Sequence, residues 1–95
     1  MKMLTYKYNQ VALNIEETIN GEDKEFTILI KEEEPYLERM KLMQKFFDSD
    51  TIYTDVMFYV YENHRYQIIV RQDHYVNFVL VLMRYQLLES VQWTE

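Results

Sequence analysis

Val11-Ala12-Leu13-Asn14-Ile15-Glu16-Glu17-Thr18-Ile19-Asn20-Gly21-Glu22-Asp23-Lys24-Glu25-Phe26-Thr27-Ile28-Leu29-Ile30 holds the chain's one glycine between two alternating runs. Asn-Gly is the preferred pair for a type I′ two-residue turn, because both central residues need positive φ. Counting outward from Asn20-Gly21 predicts the pairs Ile15–Phe26, Leu13–Ile28 and Val11–Ile30, all apolar and on one face. The polar face is expected to carry Asn14–Thr27, Gln10–Lys31 and Glu17–Lys24. Ala12–Leu29 is its apolar exception, and Glu16–Glu25 is a like-charge pair. A slip of one residue would set apolar against polar, so pattern and turn together fix the pairing. The hairpin is predicted over residues 10–18 and 23–31.

Ahead of it, Leu4, Tyr6 and Tyr8 alternate with Met3, Thr5 and Lys7. This is either a separate short strand, with Asn9-Gln10 as the break, or an extension of the first one. After it come Glu32-Glu33-Glu34-Pro35. Proline fits the first turn of a helix, and acids there favour the positive end of the helix dipole. Leu37, Met40, Met43 and Phe47 then recur at helical spacing, with Glu38 and Lys41 as an i,i+3 pair. A helix is predicted over 35–48, ended by Asp48-Ser49-Asp50.

Val56 to Tyr61 and Tyr66 to Val70 are β-branched and aromatic, and four polar residues separate them. With Asn63-His64 as the turn, Tyr61 meets Tyr66, Tyr59 meets Ile68 and Met57 meets Val70. The opposite face carries Val56, Phe58, Val60 and Ile69 with Gln67 and Arg71. Both faces are then largely apolar and call for cover on both sides. Asp73 reads as an N-cap for a segment, His74 to Gln86, that is apolar nearly all round. Its length favours a helix, although Val76 to Met83 also fits a buried strand. A last strand covers about Leu88 to Trp93. The expected fold is α+β, order ββαββαβ, with an antiparallel sheet of two hairpins plus a C-terminal strand and two helices packed on it, in a single domain of residues 1–95.

Composition removes many functions. The absence of cysteine excludes disulfides, thiolate metal sites and thiol nucleophiles. One glycine cannot build a phosphate-binding glycine loop. The net charge of −6 argues against direct nucleic-acid binding and against anionic membranes. Phe78 to Met83 is the most apolar run, six residues where a membrane span needs about 20. No signal-peptide pattern opens the chain, and a cytoplasmic protein is the expectation. No cofactor is expected. Asp48, Asp50 and Asp55 lack the glycine and glutamate of an EF-hand loop, with Tyr53 and Tyr59 at those positions. His64 and His74 lack metal-ligand spacing, so no metal is expected either. Ser49 and Ser90 sit in no nucleophile motif, and catalysis is not expected.

Charge position is more telling than charge total. Residues 16–38 hold nine acids and two bases, or −7, while eight bases and seven acids elsewhere leave +1. Glu16, Glu17, Glu22, Asp23, Glu25, Glu32, Glu33 and Glu34 therefore form the expected partner-binding surface. The plainest alternative is a solvated, solubilising tip. The functional expectation is a non-catalytic interaction or regulatory module whose acidic hairpin meets a basic protein. A second expectation is a nucleic-acid mimic that inhibits a DNA- or RNA-processing enzyme. A third is a small-molecule binder or enzyme using His64, Arg65, Arg71 or His74. The apolar surplus, nearly half the chain, favours a homodimer through Tyr59, Tyr61 and Tyr66 or through the last strand with Trp93.

Overall fold

The computed structural model describes residues 2–49 and 56–95. Asp50, Tyr53 and Asp55, weighed above, lie outside these residues. The elements run β1 (Met3–Lys7), β2 (Leu13–Asn20), β3 (Asp23–Ile30), α1 (Glu33–Ser49), β4 (Val56–Tyr61), β5 (Arg65–Arg71), α2 (Tyr75–Arg84) and β6 (Ser90–Thr94). The fold is α+β. A four-stranded antiparallel sheet has the order β2-β3-β5-β4, and β1 pairs with β6 in a separate two-stranded sheet. The first segment is thus a strand of its own. Asn9 makes the break: its carbonyl accepts from the Ala12 and Leu13 amides and its side chain accepts from Val11 N–H.

The first hairpin forms with a register two residues away from the expected one. Asn20 pairs with Asp23, so Gly21-Glu22 is the turn. Only Gly21 there has positive φ, at 63°, which is the pattern of a turn with glycine at the first central position. Because the shift is even, the apolar face survives: Leu13 meets Ile30, Ile15 meets Ile28, and all four are buried. Val11 leaves the strand and is 73% exposed, while Ala12 is buried in its place. The shift also separates Glu16 and Glu25, which now face Thr27 and Thr18 rather than each other. Relief of that like-charge contact favours the observed register. Glu17 and Lys24 lie on the core-facing side, not the polar one, because alternation places Glu17 with Leu13 and Ile15.

The second hairpin is off by one, and that changes which face every β4 side chain shares. Glu62, Asn63 and His64 form a three-residue turn, with Asn63 and His64 at φ 62° and 58°. Tyr61 therefore meets Arg65, Val60 meets Tyr66 and Phe58 meets Ile68. Tyr66, Ile68 and Val70 enter the core, while Met57, Tyr59 and Tyr61 share the outer face with Arg65, Gln67 and Ile69. Cover exists on one side only among the described residues.

Glu34 is extended, as a residue before proline must be, so the regular part of α1 starts at Pro35. Residues 75–84 are helical, which resolves the helix–strand ambiguity. Asp73 is not a side-chain cap; it lies in the 3-10 turn Gln72–His74, 3.8 Å from Arg71. Nor is α2 buried nearly all round. Phe78, Val79, Val81 and Leu82 face inward, whereas Val76 and Leu80 are exposed. Phe26, Phe78, Phe47 and Phe58 make a continuous aromatic layer from β3 through both helices to β4, with centroids 4.7–5.8 Å apart. Gln86 closes α2 in the left-handed region, and its carbonyl accepts from Arg39 of α1 at 3.0 Å.

Candidate interaction surface

The expected acidic surface divides into four places. Glu17 turns inward and its side chain is only 20% exposed. Its carboxylate accepts from the Tyr75 hydroxyl at 3.0 Å and from the Tyr6 hydroxyl, and lies 3.5 Å from Lys24 Nζ. The ammonium also sits 4.9 Å over the Tyr75 ring. This carboxylate is committed within the molecule: it joins β1, β2, β3 and α2. Burial, and next the Glu17 carboxylate, hold both phenols protonated far above their ordinary range.

Glu22 and Asp23 lie at the hairpin turn. Arg71 stands opposite Asp23 and 3.8 Å from Glu22, so one cation offsets part of this charge. Gln72 braces the turn by donating to the carbonyls of Gly21 and Glu22. Glu16 and Glu25 occupy the outer face between turn and helix. Glu32, Glu33 and Glu34 lie past the far end of β3, where Glu33 meets His64 Nε2 at 2.7 Å. The eight residues of β3, from Asp23 to Ile30, span about 24 Å of extended chain. That exceeds the Debye length of roughly 8 Å at physiological salt, so the acids contiguous in sequence are not one electrostatic pole in space. An unbroken line of carboxylates, which nucleic-acid mimicry would use, is interrupted where Glu17 turns inward.

The outer face has two halves. Glu16, Thr18, Glu25 and Thr27 form a polar half on β2 and β3. Met57, Tyr59 and Tyr61 form an apolar half on β4, 39–50% exposed. Gln67 of β5 joins them: its amide donates to Glu25 at 3.1 Å and accepts from Tyr61 at 3.2 Å. The Arg65 guanidinium stacks over the Tyr61 ring at 4.9 Å. Leu29, Tyr61, Glu62, Asn63 and Arg65 line an open groove of about 640 Å³ at the turn end of this half. Tyr66, grouped with Tyr59 and Tyr61 from sequence, is 3% exposed and on the opposite face. Trp93 is 54% exposed, but in the small sheet.

The polar candidates for chemistry do not converge. His64 is at one end of β5 with Glu33, Arg71 at the other with its acids, and Arg65 rests on Tyr61. Among the described residues no three histidine or carboxylate groups cluster as a metal site would require, and no helix is long and apolar enough to cross a membrane. No protein-family model, curated protein or solved structure matches the chain.

Sequence reasoning missed Tyr8. Its hydroxyl accepts from Ile15 N–H at 3.2 Å and faces the Ile15 carbonyl at 3.3 Å, so one phenol occupies the outer edge of β2. It also missed the Glu17 cluster. A signal was available there: a glutamate on an apolar parity needs donors, and buried carboxylates are rarely left without them.

The phenols set a pH dependence. In the unfolded chain both ionise near 10.0, while in the fold they hold their protons well beyond it. Groups with raised folded pKa stabilise fully below the unfolded value and lose that contribution as pH rises past it. Denaturant midpoints are expected to fall as pH rises above about 10, and to fall less in a Tyr6→Phe, Tyr75→Phe double variant. An equal fall in both proteins would clear these phenols of responsibility.

Proposed function

We propose that the chain is a non-catalytic protein-interaction module that also associates with itself. It docks a basic partner through the acidic half of its uncovered sheet face. The observation that carries this reading is that face: Glu16 and Glu25 project from it, Glu22 and Asp23 border it, and no helix of the described residues covers it. Charge complementarity selects a basic protein over an acidic one and over nucleic acid. Glu17 is excluded from the docking set because its carboxylate serves the fold. A variant with Glu16→Gln, Glu22→Gln and Glu25→Gln is expected to lose the partners that wild type retains, and retention by wild type should weaken with salt. Recovery of the same partners by both proteins would refute the acidic docking surface.

A further inference from the structure

Resting on the self-association part of that reading, we infer that β4 is its interface: two copies pair antiparallel along this edge, about a two-fold axis through Tyr59. The two edges of the four-stranded sheet differ sharply. On β2 the Tyr8 hydroxyl already takes the outward N–H and C=O of Ile15, and Glu16 and Glu17 charge the strand. On β4, six residues in succession, Val56-Met57-Phe58-Tyr59-Val60-Tyr61, carry no charge. No described strand pairs with its far side. Proteins protect free edges with charge, proline or cover, and β4 shows none of these among the described residues.

Charge also selects the occupant. A second copy of a chain with net charge −6 meets least repulsion along a strand without acids. In a two-fold antiparallel pairing centred on Tyr59, Met57 faces Tyr61 of the other copy and Tyr59 faces itself, all on the outer side. Phe58 faces Val60 on the inner side. Every residue from 57 to 61 then pairs within the same set, and sulfur–aromatic and aromatic–aromatic neighbours result. Met57, Tyr59, Val60 and Tyr61 are 39–55% exposed. Even complete covering of four side chains of about 200 Å² each would bury no more than roughly 400 Å² per copy. That lies below the roughly 1,200 Å² total of a stable complex, so the dimer is weak and concentration-dependent.

Sedimentation of the purified chain from micromolar to millimolar concentration tests this. The mass is expected to climb from 11.8 kDa toward twice that value. Amides of residues 57–61 should gain hydrogen-exchange protection over the same range. Tyr59→Lys sets two like charges face to face across the axis and should weaken association at least tenfold (an order-of-magnitude expectation for opposed like charges). Trp93→Lys should leave it unchanged. If Tyr59→Lys melts below wild type, Met57→Lys on the same face replaces it. A mass of 11.8 kDa at every concentration would overturn both this inference and the self-association it rests on. A dimer kept by Tyr59→Lys or Met57→Lys but dissolved by Trp93→Lys, or one without protection at 57–61, would overturn the β4 assignment alone.

Discussion

Phe26→Ala is expected to be the most damaging single change on the first hairpin. Its ring is fully buried and touches both layers: it lies 4.7 Å from Phe78 and 5.8 Å from Tyr75, and it pairs with Ile68 across the sheet. Removing a buried phenyl group costs about 3–5 kcal/mol, through lost transfer energy and the cavity that remains. Domains of this size have only about 5–15 kcal/mol in total. The melting temperature should fall by roughly 15–30 °C, measured by circular dichroism or calorimetry. Ile19→Ala is the control on the same face and the same hairpin. Ile19 is 65% exposed, and its loss should cost within about 0.5 kcal/mol. Similar losses for the two variants would show that the aromatic layer is not the centre of the fold.

Glu17→Ala is expected to destabilise by about 2 kcal/mol, an unusual cost for a glutamate. The substitution leaves the Tyr6 and Tyr75 hydroxyls without their acceptor and Lys24 without its counter-charge. Glu17→Gln should cost less, because its amide oxygen still accepts. The decisive variant replaces all three groups together, Glu17→Leu with Tyr6→Phe and Tyr75→Phe. Removing donors and acceptor at once can be nearly neutral where removing one is not. Equilibrium denaturation of the set tests the cluster: a triple variant much less stable than Glu17→Ala would mean that packing, not hydrogen bonding, governs the site.

What the sequence made legible was parity, and what it hid was register. Alternation in β2 and β3 correctly identified Leu13, Ile15, Phe26, Ile28 and Ile30 as core, because a two-residue shift leaves the face unchanged. Asn20-Gly21 was a sound turn signal placed one position early; avoidance of the Glu16–Glu25 contact accompanies the move to Gly21-Glu22. In the second hairpin parity itself failed. Both faces of 56–61 and 66–70 were apolar, so nothing in the pattern opposed a one-residue slip. The longer turn therefore sent Tyr66 to the core and left Tyr59 and Tyr61 outside. The Glu17 cluster joins residues 11 and 58 positions apart, a closeness that local sequence does not encode. The acidic surface illustrates the same limit, since acids about ten positions apart in one sequence segment were carried about 24 Å apart by one extended strand.

The phenol of Tyr8 on the edge of β2 bears on how far assembly can proceed. A sheet that accepts strands at both edges polymerises: each added chain offers a fresh edge, and the product is a fibre of unlimited length. Here one hydroxyl fills the hydrogen-bonding position at Ile15 that an incoming strand would need. That leaves β4 as the open edge of the four-stranded sheet, and the two-fold pairing inferred above would consume it in both copies. If the β4 pairing inferred above forms, Tyr8 is the chain terminator that would hold an otherwise open-ended reaction at two.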